Sequence, residues 1–149
     1  MDKKRKAYNL EEATRKMERY CTYQERCHSE ISGKLRDMHM IPEATARIIA
    51  HLINNNYLNE ERFARSFAKG KFHQKKWGKK RIAHELKRRE ISTYNIKAAL
   101  QELEESPYES VLHELALKRL GQIKDTHPLK RKRKLADYLL YRGWEPQHV

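Results

Sequence analysis

Between residues 62 and 89 the chain carries twelve lysine and arginine residues and a single acidic residue, Glu85. Closely spaced cations repel one another, and a polyanion relieves this repulsion because each neutralised phosphate releases a counterion. Phe72 and Trp77 lie within the run, and aromatic rings can stack on exposed bases. The run therefore predicts a polyanion-binding surface. Two alternatives stay open: a merely solvated face and, for Trp77, packing between structural units instead of base stacking.

A second basic run occupies residues 130–134. It follows Pro128, which suits the first turn of a helix, and it lies near the position that Arg81 holds in the preceding copy of the repeat described below. Basic residues at equivalent positions in successive repeats would form a charged stripe. Five consecutive residues circle a helix completely, so some of these side chains are expected to be solvated.

The sequence offers little for catalysis or metal binding. Two His-Glu pairs, at residues 84–85 and 113–114, lack the second histidine that a zinc protease motif places one turn later. The segment 78–80 lacks both the earlier glycine and the following serine or threonine of a phosphate-binding loop. The two cysteines and the neighbouring His28 match no common metal site, because a fourth ligand is missing. We expect no enzyme activity, no cofactor and no metal.

Composition favours small helical units over one thick core. Of 149 residues, 38% are hydrophobic and 36% charged, with a net charge of +13. Cys21 and Cys27 fall on different faces of a helix, so a local disulfide is not expected. Residues 1–10 are polar and basic, which predicts a flexible N-terminus. There is neither a signal-like apolar segment nor an apolar run of membrane length, so we expect a cytoplasmic protein.

One apolar pattern recurs at a nearly fixed period, which indicates a small structural unit used several times. Its first copy consists of Ile31, Leu35, Met40, Thr45, Ile48, Ile49 and Leu52. The second copy, 51 residues later, consists of Ile82, Leu86, Ile91, Ile96, Ala99, Leu100 and Leu103. The third, partial copy follows after 53 residues and consists of Leu135, Leu139, Trp144 and Val149.

The period predicts an all-α fold, an elongated and curved stack of three tandem three-helix repeats. We place the repeats at residues 11–57, 58–105 and 106–149, with a boundary at the Glu-Glu-Ser-Pro segment 104–107. The third repeat lacks most of its final helix, because the sequence stops at Val149. Stacking would bury the faces that each small repeat leaves open.

Local signals place the helices within these repeats. The first helix is expected to end near Arg26, and Ser29, Asn59 and Ser92 are good N-cap residues for later helices. Gly70 and Gly78 are expected to bracket a basic segment, with Gly78 opening the following helix, and Asn54–Asn56, Pro128 and Gly143 mark other helix ends. The later positions predicted to face inward are Phe63, Ala64, Phe67, Ala68, Val111, Leu112, Leu115, Ala116, Leu120, Leu135, Leu139 and Leu140.

Two blocks of sequence resemble the RecX family. The first begins at residues 29–35 and continues through 52 into 56–64, where Asn59 replaces the first acid of the family's tyrosine-leucine-acid-acid-arginine-phenylalanine-alanine run. The second block is 78–86, with Ile91 behind it. The two blocks together with the repeat are more specific than either alone, and the match extends over about residues 11–144. The third repeat matches least well.

The resemblance implies a non-enzymatic regulator of RecA with a role in homologous recombination, DNA repair and the SOS response. Such a protein lies in the groove of the RecA filament on single-stranded DNA, bridges protomers and suppresses ATP hydrolysis and strand exchange. The partners expected are therefore the RecA filament and the single-stranded DNA within it, with bare DNA bound only weakly or indirectly. We further expect a monomer that has no membrane partner.

The basic runs supply the residues that we predict to bind the filament. They are Arg65, Lys69, Lys71, Lys75, Lys76, Trp77, Lys79, Lys80, Arg81, Arg88, Arg89, Lys130, Arg131, Arg133 and Lys134. One alternative is a stand-alone basic DNA-binding protein with helix-turn-helix-like units. Another is a helical adaptor for an acidic protein, which would be indifferent to DNA.

Overall fold

The computed structural model describes residues 8–104 and 108–148, and this part of the chain is helical with no β-strand. The eight α-helices within these ranges are α1 (Leu10–Tyr23), α2 (His28–Asp37), α3 (Pro42–Asn54), α4 (Glu60–Lys75), α5 (Lys79–Arg88), α6 (Thr93–Glu104), α7 (Tyr108–Gln122) and α8 (Pro128–Tyr141). A 3-10 turn follows at Pro146–His148. The predicted all-α class is confirmed. The predicted flexible start (1–10), the predicted boundary (104–107) and Val149 lie largely or wholly outside the described residues.

Side-chain caps explain where several helices begin. The Asn59 Oδ1 atom accepts the backbone N–H of Arg62 at 3.0 Å, and the Ser92 Oγ atom accepts the N–H of Asn95 at 3.2 Å. Such caps are worth about 1 kcal/mol each because they satisfy N–H groups that the helix leaves open. Pro128 stands at the first turn of α8. These starts agree with the sequence prediction.

The start of α2 differs from the prediction. Its N-cap is Cys27 and not Ser29, which already lies in the first turn. The Cys27 N–H donates to Glu30 Oε1 at 3.1 Å, so the third helical residue closes the cap. The first helix also ends at Tyr23, three residues before Arg26. Arg26 instead turns back, with its guanidinium carbon 3.6 Å from the ring centre of Tyr20.

Helices α2 to α5 are each followed closely by a non-glycine residue in the left-handed conformation. These residues are His39, Asn56, Lys76 and Glu90, with φ between 57° and 62°. Asn56 belongs to the asparagine run that was expected to end α3, and asparagine tolerates this conformation well. Gly143 has φ of 92° and follows α8, as predicted from its position. The left-handed residue after each of these helices ends that helix and changes the direction of the chain before the next segment.

The described chain divides into two compact units, which we call the first unit and the second unit. The first unit holds residues up to Phe63 together with 89–91, and the second unit holds 64–88 together with the residues from Ser92 onward. The division falls inside α4, between Phe63 and Ala64. The four segments proposed from the sequence, 1–10, 11–57, 58–105 and 106–149, stay a prediction.

The first unit has a core made of aliphatic and sulfur-containing side chains. Its buried cluster consists of Ala13, Met17, Cys21, Ile31, Leu35, Met38, Ile48, Leu52 and Leu58. Tyr20, Met40 and Ile49 pack against it while partly exposed. Six of the seven positions in the first copy of the repeat, all except the partly exposed Thr45, therefore lie in or against this core, as the period predicts.

The second unit buries an aromatic cluster formed by Phe72, Tyr108 and Trp144. The Phe72 and Tyr108 ring centres lie 5.5 Å apart and stacked, and the Tyr108 and Trp144 centres lie 4.6 Å apart. Phe72 and Trp144 are fully buried. Ile82 and Leu86 of α5 are also fully buried, in agreement with the repeat pattern. Aromatic packing of this geometry adds to the free energy gained from buried area.

Several predictions about individual residues were wrong. Phe72 is a core residue, so it is not available to stack on bases. Phe67 is only partly buried and packs edge-on against Trp77 with ring centres 6.4 Å apart. Leu140 is 43% exposed, while its neighbour Leu139 is buried. Gly70 does not bracket a loop, because α4 continues past it to Lys75 and no atom outside its own turn approaches it.

Candidate polyanion-binding surface

The end of α4 and the start of α5 bring the densest part of the basic run to one loop. Lys75 ends α4, Lys76 takes the left-handed conformation, and α5 begins at Lys79. The Trp77 N–H donates back to the carbonyl of Lys71 at 3.2 Å, which closes the turn. The loop thus presents cations on both sides of a short, hydrogen-bonded connection.

The C-terminal end of α8 holds this loop in place. The Gly78 N–H donates to the carbonyl of Arg142 at 2.8 Å, and the Trp144 indole N–H donates to the carbonyl of Lys76 at 3.1 Å. The backbones approach so closely that a Cβ atom on Gly78 would lie 2.5 Å from the Gly143 carbonyl. Glycine is required here for close approach, in addition to its role at the start of α5.

Trp77 is partly buried and lies between two cationic side chains of the same basic run. The Arg81 guanidinium carbon lies 4.2 Å from its ring centre and the Lys71 Nζ atom 5.0 Å. Arg81 also lies 5.1 Å from the ring centre of Tyr141, which is 76% exposed. Cations over an indole ring are attracted by its quadrupole. A base stacking on Trp77 would compete with them, so this geometry favours the packing interpretation.

Lys79 is partly committed to the aromatic cluster. Its Nζ atom lies 4.4 Å from the ring centre of Tyr108, and its backbone N–H donates to the Tyr108 hydroxyl at 2.9 Å. That hydroxyl in turn donates to Glu145 Oε1 at 2.5 Å. Lys80 is exposed. The two adjacent lysines therefore lie in different surroundings.

Other predicted cations are paired with carboxylates. Arg65 and Lys69 both face Glu102, at 3.5 and 2.5 Å, and Arg88 lies 3.2 Å from Glu85. These are surface pairs, which contribute little to stability and are screened by salt. Their main consequence is that a carboxylate already offsets part of the local positive charge. Arg89, at the end of the run, is half-buried.

The second basic run points in several directions, as expected for consecutive helical residues. Lys130, Arg133 and Lys134 are exposed, whereas Arg131 is half-buried and its Nη2 atom donates to the carbonyl of Leu120 at 3.0 Å. Lys134 pairs with Asp125 at 3.3 Å. The His127 N–H and then Lys134 hold the pKa of the Asp125 carboxyl below its ordinary value.

Sequence reasoning missed a cationic cleft beside the loop. The cleft has a volume of about 340 Å³, and five cations line it: Lys75, Lys76, Lys118, Arg119 and Arg142. Tyr138, Gln74 and Gln122 are also in its lining. The last three cations stand alone or in pairs in the sequence, so no run marks them. Only the packing of α7 and α8 beside the end of α4 brings them together.

The two thiols are buried and unreactive in character. Burial raises the pKa of the Cys21 thiol to about 11, against the nearby Arg26 charge, which lowers it. Burial also raises the pKa of Cys27.

Within residues 8–104 and 108–148, no group of three or more potential ligands could hold a metal ion. In the same ranges, no helix is both long and apolar enough to cross a membrane.

Family models match most of the chain beyond the first unit. The model of the second three-helix domain of RecX matches residues 59–100, and that of the third three-helix domain matches residues 108–149. Together the two matches cover more than half of the chain. The first matched range contains the basic run 62–89, and the second contains the basic run 130–134.

Two curated relatives are named regulatory protein RecX. That of Serratia proteamaculans (strain 568) is 30% identical over 118 residues, which are 79% of this chain and 68% of the relative. That of Clostridium acetobutylicum is 31% identical over 119 residues, which are 77% of this chain and 55% of the relative. The chain thus aligns with only about half of the second relative.

Solved structures show the same fold. A crystal structure of regulatory protein RecX superposes with a TM-score of 0.84 at 22% identity, covering 93% of this chain and 68% of that one. RecX from Lactobacillus salivarius superposes with a TM-score of 0.82 at 21% identity, covering 93% and 90%. At these identities the likeness concerns the fold.

Proposed function

Because the chain belongs to the RecX family of regulatory proteins, we propose that it regulates RecA by binding the RecA filament on single-stranded DNA. It lies in the filament groove and inhibits both ATP hydrolysis and strand exchange. It acts without chemistry of its own, and its relatives carry the name of regulatory proteins. The partners are the filament and the DNA inside it.

The observation that carries the proposal is the basic loop between α4 and α5. Lys75, Lys76 and Lys80 lie in or next to a connection whose backbone is held by hydrogen bonds with Arg142 and Trp144. A backbone that is already held in place does not have to be ordered on binding, which reduces the conformational entropy lost. Each phosphate that they neutralise releases a counterion, which supports binding to a nucleoprotein filament.

The remaining predicted residues extend this surface. Arg81 and Lys71 flank Trp77, and the exposed Lys130, Arg133 and Lys134 supply the second run. A surface with several separate cationic groups can contact several protomers or phosphates at once, and many weak contacts then add through effective concentration. The paired Arg65, Lys69, Arg88 and Lys134 contribute least, since each already faces a carboxylate.

A titration of RecA ATPase activity tests the proposal. RecA filaments on single-stranded DNA are held constant while the protein is added from substoichiometric to equimolar amounts. We expect inhibition below one protein per RecA protomer. The absence of inhibition at every ratio would contradict the proposal.

A charge-reversal variant then tests the surface. Replacing Lys75, Lys76, Lys79 and Lys80 with Glu should weaken inhibition at least tenfold, since four attractive contacts become repulsive. A matched control replaces four exposed cations of the first unit, Arg19, Lys34, Arg36 and Arg47, with Glu. Equal loss in both variants would show that net charge, and not this surface, determines binding. Circular dichroism checks that both remain helical.

A further inference from the structure

The cleft in the second unit combines high positive charge with a defined shape. It lies where the C-terminal end of α4 meets α7 and α8, and its volume is about 340 Å³. Five of its lining residues are lysine or arginine, and no carboxylate lines it within the described residues. Elsewhere in this unit, cations such as Lys69 and Lys134 are paired with acids. The cleft concentrates charge that protein groups leave uncompensated.

Two guanidinium groups are fixed against the ring of Tyr138. The Arg119 guanidinium carbon lies 4.5 Å from the ring centre and that of Arg142 lies 5.0 Å from it. Arg142 also donates to the carbonyl of Lys75, and Arg119 donates to Gln122 Oε1 at 3.4 Å. The forks are therefore positioned before any ligand arrives, which lowers the entropy lost on binding.

Arg119 also has an unsatisfied donor. Its Nε atom is buried and has no hydrogen-bond partner among the described residues. Buried donors are nearly always paired, because an unpaired one loses its hydration without compensation. Protein acceptors therefore leave the Arg119 guanidinium incompletely satisfied.

From these observations we infer that the cleft binds a phosphate group. Arginine forks match the oxygens of phosphate in bidentate geometry, and the three lysines add charge without restricting direction. The cleft volume lies at the lower end of the range for small-molecule sites, which suits a diphosphate or a backbone phosphate with its sugar. The assignment rests on the proposed function in one respect: single-stranded DNA in the filament is then the expected source of the phosphate.

The test uses the full-length protein without RecA. Pyrophosphate binding is measured by calorimetry, and binding of a fluorescently labelled twelve-residue oligothymidylate is measured by anisotropy. Replacing both Arg119 and Arg142 with Gln should lower the affinity for a probe that occupies the cleft. The expected loss is roughly tenfold or more for each guanidinium removed. The matched control replaces Arg36 and Arg47 of the first unit with Gln, which removes the same charge from exposed positions.

Each outcome decides between sources or overturns the site. Weaker binding of both probes in the double variant supports a phosphate site that also holds polynucleotide. Weaker binding of pyrophosphate alone supports a site for a free phosphate compound. Unchanged binding of both probes, equal loss in the Arg36 and Arg47 control, or no binding of either probe by the unaltered protein overturns the inference.

Two further measurements keep the result interpretable. Replacing Arg119 and Arg142 with Lys keeps the charge and removes the guanidinium fork. This variant should remain helical even if the Gln variant does not fold, and it should still bind phosphate more weakly than the unaltered protein. The RecA ATPase titration is run on the same variants. If the double variant still inhibits RecA and still binds phosphate as the unaltered protein does, only the inference about the cleft is overturned. If the unaltered protein binds phosphate but does not inhibit RecA, only the regulatory proposal is overturned.

Discussion

The two units of the molecule build their interiors and treat their charges differently. The first unit packs aliphatic and sulfur-containing side chains, and contacts between residues distant in the chain join Arg62 to Glu25 and His51 to Glu18. The second unit packs Phe72, Tyr108 and Trp144, and it leaves five cations around one cleft. The two interiors therefore differ in side-chain type, and the second unit gathers cations at the cleft for which we infer a phosphate ligand.

The difference extends to how each unit fixes its backbone. In the first unit, Arg26 turns back on Tyr20 and Cys27 caps α2 through Glu30. In the second unit, Gly78 and Gly143 allow two backbones to meet, and hydrogen bonds cross between them. Close backbone packing restrains the basic loop without using the lysine side chains. The side chains of Lys75, Lys76 and Lys80 take no part in the hydrogen bonds that restrain the loop.

The largest expected effect comes from removing the aromatic core of the second unit. Replacing Phe72 with Ala should lower the free energy of unfolding by about 3–5 kcal/mol, because a fully buried ring leaves a cavity. Replacing the partly exposed Phe67 with Ala should cost clearly less. Urea denaturation followed by tryptophan fluorescence reports this directly, since both tryptophans, Trp77 and Trp144, belong to the second unit. Equal losses would show that Phe72 is not more deeply buried than Phe67.

The next effect concerns the glycine contact. Replacing Gly78 with Ala should destabilise the protein by about 1–3 kcal/mol, because the new methyl group would overlap the Gly143 backbone. The matched control is Gly70 to Ala, inside α4 with open space around it, which should stabilise by about 0.5–1 kcal/mol. Opposite signs in urea denaturation confirm the contact, and the same sign for both would contradict it.

Thiol labelling provides a separate probe of the first unit, which contains both cysteines. Burial raises the pKa of Cys21 from 9.0 to about 11. At pH 8 the reactive thiolate should therefore be about a hundredfold scarcer in the folded protein than in the unfolded chain. Iodoacetamide labelling with and without urea measures this ratio. Labelling that is equally fast in both states would show that the first-unit core does not protect this thiol.

The smallest effect concerns a paired acid. Replacing Glu102 with Gln should change stability by less than about 1 kcal/mol, because its partners Arg65 and Lys69 are half-exposed. It should nevertheless strengthen binding to the filament severalfold, because it removes a negative charge that faces two cations of the predicted surface. Weaker binding in a filament pull-down would show that the acid positions these side chains for the partner and does not merely neutralise them.

Much of the fold follows from local signals, and the RecX resemblance is confirmed by the family matches. The apolar period located the first core, and Asn59, Ser92 and Pro128 located three helix starts. These predictions succeed because caps and amphipathic stripes depend on residues a few positions apart. The predicted filament-binding residues stay a prediction.

Other features depend on packing that the sequence does not display. Phe72 continues the stripe of Ala64 and Ala68 at intervals of four, but its basic neighbours and Gly70 disguised the continuing helix. The cleft needs Arg119 and Arg142, which lie far apart in the chain and in no charge run. Tertiary contacts alone bring such side chains together.

The most direct test of the central claim compares binding to bare DNA with binding to the filament. Labelled single-stranded DNA is presented alone or coated with RecA and a nonhydrolysable nucleotide, at one fixed salt concentration. We predict at least tenfold tighter binding to the filament, reduced by charge reversal at Lys75, Lys76, Lys79 and Lys80 but not by the first-unit control. Equally tight binding to bare DNA, steeply dependent on salt, would contradict the account and favour a stand-alone DNA-binding protein.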